Sequence, residues 1–212
     1  YYLHPRRLLL PKEKEWRQKV VSTAEAWLGT RELSDRHYEM LAIYNAQSPL
    51  PRGTRMQATW PWCAAFVSTV SLQCGLRDIM PTECGCPGMV RLYQEIGRWV
   101  EDDAYIPSPG DVIFYDWQDT GYGDNAGQPD HVGIVTACDG QTMTIVEGNC
   151  DNAVKTRSLA VNARFIRGFG VPDYASKADG AEPQPEPAPT PQPEPEKPAV
   201  ETTVDPFITK TA

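Results

Sequence analysis

Histidine is scarce in this 212-residue sequence, with one at each of positions 4, 37 and 131. Chemistry that needs an imidazole therefore has few places to sit. No apolar run approaches the roughly 18 consecutive residues of a membrane-spanning helix, so no membrane span is expected. The run Leu8-Leu9-Leu10 is also too short for the apolar part of an export signal. Tyr1 opens the chain, which is read as a fragment whose export signal would lie outside it. Basic residues are outnumbered, 20 Lys and Arg against 28 Asp and Glu, for a net charge of -8. A nucleic-acid binder shows a basic stripe, so no nucleic-acid partner is expected.

Cysteine is present but poorly arranged for structural use. The six lie at 63, 74, 84, 86, 138 and 150. An even count suits disulfides in a secreted protein. The spacing, however, is not that of a compact disulfide scaffold, and a chain of this length does not need one. Cys84-Gly85-Cys86 leaves one residue between its thiols, whereas common zinc knuckles leave two to four and add a second pair or a histidine. All except Cys63 are read as small buried apolar side chains.

Hydrophobic residues make up 41% of the chain, enough for the core of one domain. Residues 1–15 are taken as an N-terminal extension and 16–174 as the folded domain. Composition then changes sharply. Nine of the twenty prolines lie beyond residue 180, in a stretch rich in Glu and poor in large apolar side chains. Residues 175–204 are expected to be an extended linker. Its seventeen-residue proline-rich centre would span about 50 Å. Residues 205–212 would begin a further module. Within the domain, helical apolar spacing marks 12–28, 37–46, 63–74 and 87–97. Strands are expected at 111–115, 131–137, 142–147 and near 165–170. Helices followed by a meander of strands imply an α+β fold, with N-terminal helices packed on an antiparallel sheet.

One helix start carries chemistry. Pro61 disfavours helix in the residue before it, so the helix should begin near Cys63. A helix N-terminus has free N–H groups and partial positive charge, which lower a thiol's pKa and can hold an oxyanion. Among the histidines, His131 alone opens an apolar strand, in PDHVGIV. A catalytic imidazole needs a fixed ring and a controlled tautomer. The next strand ends TIVEGNC, so Glu147 or Asn149 could supply the orienting bond. With a turn at Asp139-Gly140, His131 would face position 148, one residue from either. Trp60, Trp62 and Trp117 are candidates for lining a groove or for the core.

The pieces WCAAFVS, PSPGDVIFYDW, DHVGIV, EGN and RGFGVP occur in this order and resemble a CHAP domain, a papain-like cysteine amidohydrolase/peptidase of cell-wall lysins. The likeness covers residues 16–174. It implies a papain-like α+β fold, with Cys63 as nucleophile, His131 as base, and Glu147 and Asn149 orienting His131. It further implies cleavage of bacterial peptidoglycan, as an N-acetylmuramoyl-L-alanine amidase or a peptide endopeptidase, at the cell wall or outside the cell for a bacterial autolysin, or after release from the cytoplasm for a phage endolysin. Some members bind calcium through acidic residues just before the nucleophile. Here that stretch, PRGTRMQATWPW, has no Asp or Glu, so no calcium and no other cofactor is expected. Asp116, Asp119, Asp124 and Asp130 are read as a solvated loop. The chain is expected to act as a monomer. The alternatives are an NlpC-type wall endopeptidase, a papain-like protease of proteins, and a wall-binding module with a dead site.

Overall fold

The sequence CAAFVSTVSLQC has almost no polar face, and a helix apolar on all sides belongs inside a protein. In a computed structural model, describing residues 9–102, 104–119 and 127–178, it forms helix α3 (Cys63–Cys74), buried at every position except Gln73. Gly75 ends it in the left-handed conformation (φ 67°), which costs glycine nothing. Three helices surround it: α1 (Pro11–Glu25), α2 (Asp35–Asn45) and α4 (Cys86–Glu95). The first, α1, turns Trp16, Val20, Val21 and Ala24 inward. It begins at Pro11, inside the stretch taken as an extension, and it buries Glu13. The next, α2, is capped by Ser34, whose hydroxyl accepts from the His37 N–H at 3.3 Å.

The strands are β1 (Trp99–Val100), β2 (Val112–Tyr115), β3 (His131–Cys138), β4 (Thr142–Glu147), β5 (Lys155–Ala160) and β6 (Ile166–Gly170). They form one six-stranded antiparallel sheet in the order β1-β6-β2-β3-β4-β5. The arrangement is the α+β fold with N-terminal helices that the sequence implies. Side chains alternate between faces. Val112, Phe114, Val132, Ile134 and Val146 meet the helices, while Ile113, Tyr115, Val135, Ile145 and Phe169 build a second apolar cluster.

Buried polar contacts tie α1 to the entry of β2. Arg17 donates to Asp111 at 2.8 Å and to the Pro109 carbonyl at 3.0 Å. Tyr105 donates to the second Asp111 oxygen at 2.6 Å. The residues expected to form the linker and the following module lie, from 179 onward, outside the described residues, as do residues 1–8 and 120–126.

Candidate active site

Three element ends meet. Cys63 is the first residue of α3, His131 the first of β3 and Glu147 the last of β4. Trp62, the residue before Cys63, has no side-chain acceptor to cap the helix. The first-turn N–H groups are therefore left for the sulfur, and that of Ala64 hydrogen-bonds it. Cys63 is 5% exposed.

The β3–β4 register differs from the expected one by a residue. Ile134 pairs with Val146, and an irregularity falls between Val135 and Ala137. Extending this register puts Gly133 opposite Glu147 and His131 diagonal to it, within reach of a long side chain. His131 Nε2 lies 3.2 Å from Glu147 Oε2, which leaves Nδ1 for Cys63. Gly133 makes room for this arrangement. A Cβ there would stand 2.8 Å from Glu147 Cγ and 2.6 Å from Ile145 Cγ2.

Glu147 is fully buried, with a second partner that the sequence reading missed. Arg157 on β5 grips it with a fork, Nε to Oε1 at 2.7 Å and an NH2 to Oε2 at 2.9 Å. The same guanidinium lies 4.8 Å from the Trp117 ring centre. Trp117 stacks on Tyr115 at 4.5 Å, and Tyr115 stacks on His131 at 5.7 Å. The imidazole is thus held by a carboxylate at its edge and an aromatic wall at its face.

The electrostatics follow from these contacts. Hydrogen bonding from Cys86 is the largest influence on Cys63. It acts with His131 and the Ala64 N–H against burial, and brings the thiol down to about 5. Burial works against the charged form of His131, but Cys63 and Glu147 outweigh it and raise the imidazole to about 9. Burial likewise opposes the Glu147 carboxylate, and bonds from His131 and Arg157 overcome it, holding it at about 2. The resting pair is a thiolate beside an imidazolium.

Cys86 is the second residue that the sequence reading missed. Its sulfur lies 3.6 Å from that of Cys63, so it is not a mere packing residue. No spacing signal pointed to this contact, because the two are joined only by the fold.

Other candidates are placed elsewhere. Asn149 adopts a left-handed backbone (φ 55°) just past β4 and makes no hydrogen bond to His131. Trp62 is fully buried, its indole N–H donating to Glu32 at 3.0 Å. It therefore lines no exposed groove. Trp60 and Trp117 are 44% and 36% exposed. His37 is a core residue packed on Trp62 at 4.7 Å. Asp116 and Asp130 accept backbone N–H groups of Gln118 and Trp117, as turn residues do, and Asp124 lies outside the described residues. Among the described residues, no group of three or more His, Cys, Asp or Glu could hold a metal ion.

No curated protein and no solved structure was found to match the chain. The CHAP domain family model matches residues 54–149, a span that includes Cys63, His131, Glu147 and Asn149 but stops short of Arg157. Residues 54–149 are therefore similar to the CHAP domain, a cysteine- and histidine-dependent amidohydrolase/peptidase domain.

Proposed function

We propose that this chain hydrolyses an amide bond of bacterial peptidoglycan by cysteine nucleophilic catalysis, as an N-acetylmuramoyl-L-alanine amidase or a peptide endopeptidase. The observation that carries the reading is the chain of contacts from Cys63, at a helix start, through His131 to a buried Glu147. The Cys63 thiolate attacks the amide carbonyl, forming the C–S bond. The oxyanion develops beside the first-turn N–H groups of α3. The His131 imidazolium passes its proton to the leaving nitrogen as the C–N bond breaks, leaving a thioester. His131, now neutral, takes a proton from water, which attacks the thioester and releases a carboxylate and the thiolate. Glu147 keeps the ring oriented and stabilises its charged form throughout. Trp60 and Trp117, the exposed indoles, are assigned to substrate contact. The site of action is the cell wall, outside the cytoplasm, and the acting species is the monomer.

Cys63→Ala tests the assignment. Clearing of a wall suspension should be lost while the circular dichroism spectrum is retained. Clearing at the native rate by that variant would overturn the reading. Mass spectrometry of the wall fragments then identifies the bond: a free lactyl end marks an amidase, and a new peptide amine marks an endopeptidase.

A further inference from the structure

Cysteine 86 is better placed to protect or silence Cys63 than to fill space. It is the first residue of α4, as Cys63 is of α3, and both are 5% exposed. Their sulfurs stand 3.6 Å apart, about 1.5 Å beyond bonding distance. The approach to α4 is pinned to α3. Ser68 donates to the Glu83 carbonyl at 2.7 Å and accepts from the Glu83 N–H at 2.9 Å. Ser71 donates to the Met80 carbonyl at 2.6 Å. Arg52 then clamps the Glu83 carboxylate from outside, at 2.7 and 2.8 Å. Among the other cysteines, Cys74 contacts Thr23, Cys84 contacts Arg52 and Cys150 contacts Arg157.

We propose that Cys63 and Cys86 form a reversible disulfide under peroxide, with Cys86 as the resolving thiol. The Cys63 thiolate attacks hydrogen peroxide: an S–O bond forms, the O–O bond breaks and hydroxide leaves. Cys63 is oxidised by two electrons to the sulfenic acid and the peroxide is reduced. Cys86 sulfur then attacks Cys63 sulfur. The S–S bond forms, the S–O bond breaks, and the departing hydroxide takes up the Cys86 proton as water. Until that point, the hydrogen bond to the Cys63 sulfur, burial and the Cys63 charge together hold the Cys86 thiol well above its ordinary range. Conversion of Cys63 to a neutral sulfenic acid removes that charge, so the Cys86 proton is easier to give up to the departing hydroxide. The disulfide removes the nucleophile until a thiol reductant restores it. It also spares Cys63 from irreversible sulfinic acid. The loss of hydrolysis rests on Cys63 being the nucleophile, whereas formation of the bond does not.

The full chain is treated with hydrogen peroxide and then with iodoacetamide, and digested with chymotrypsin, which cuts after Trp62 and Phe66 and so separates Cys63 from Cys74. The expected result is loss of two of the six free thiols, a Cys63–Cys86 linked peptide pair, and recovery of both thiols with dithiothreitol. Cys84→Ser should keep the link. Cys86→Ser and Cys86→Ala should instead accumulate sulfinic Cys63 that dithiothreitol does not restore. Wild-type Cys63 reaching sulfinic acid as fast as in these variants, or linked to a different cysteine, would overturn the proposal. A link that forms in a chain that never clears walls would uphold the disulfide and sink the hydrolase reading.

Discussion

A buried imidazolium against a carboxylate keeps its proton far into the alkaline range, and a thiolate beside it keeps its charge far into acid. With Cys63 brought down to about 5 and His131 raised to about 9, the active ion pair populates the window between those values. Cys63 takes up a proton as pH falls through about 5. His131 loses one as pH rises through about 9. Hydrolysis should therefore follow a bell with limbs near these values, whereas alkylation of Cys63 by iodoacetamide, which needs only the thiolate, should show the acid limb alone. Glu147→Gln removes a carboxylate that favours the imidazolium, so the alkaline limb should move to lower pH; an unmoved limb would count against Glu147 as the orienting group. Arg157→Ala should act with the opposite sign on that limb. It removes a cation near the imidazolium, yet it frees Glu147 from its fork, so kcat should fall on the order of tenfold, the worth of one charged hydrogen bond. A lysine at 157 should rescue poorly, because one ammonium cannot reproduce the fork.

At the scale of elements, the site depends on how closely β4 approaches α3. Gly148 follows Glu147, and a Cβ there would lie 2.4 Å from Phe66 Cβ and 3.0 Å from Trp62. Gly148→Ala should push the end of β4 off the helix that carries Cys63. Overpacking of this kind costs about 1–3 kcal/mol, measurable by urea unfolding, and Cys63 alkylation should slow in parallel. The sequence made these parts legible unevenly. The bounds of α3 and β4 were readable because apolar periodicity, Gly75 and the Asp139-Gly140 turn mark them. The β3–β4 register near His131 differs by one residue because the turn is longer than Asp139-Gly140: Cys138 pairs with Met143, two residues off the expected register, and the irregularity near Thr136 takes back one. β5 escaped notice because KTRSLA, an edge strand with exposed alternate positions, offers no apolar alternation. Arg157 was lost with it. Cys86 was dismissed on spacing, since its contact with Cys63 spans 23 residues and exists only once α4 docks on α3.

For the whole molecule, the question is where the folded body ends. Tyr174 is fully buried, its hydroxyl donating to the Gly110 carbonyl at 2.7 Å and its ring lying 4.6 Å from the Arg17 guanidinium. Beyond it, the Lys177 carbonyl accepts from the Trp16 indole at 3.2 Å, and Ala178 is also buried. The last turn of described chain therefore closes over α1 and the Arg17–Asp111 pair, and the packed body runs past the expected boundary at 174 to at least 178. The tail from 175 carries seven acidic and three basic residues, a net charge of -4 and half of the total. Removal of the part after 178 should change solubility more than fold. Two truncations separate these roles. A chain ending at 178 should unfold in urea at the same midpoint as the full chain and keep its Cys63 alkylation rate. A chain ending at 173 loses the Tyr174 side chain, a deletion comparable to a large-to-small core change of about 3–5 kcal/mol. It also uncovers the buried Arg17–Asp111 pair. Set against a typical domain stability of about 5–15 kcal/mol, that loss should lower the midpoint steeply. Equal midpoints for the two truncations would mean that the turn after Asp173 is ornamental and that α1 is held by its helix contacts alone.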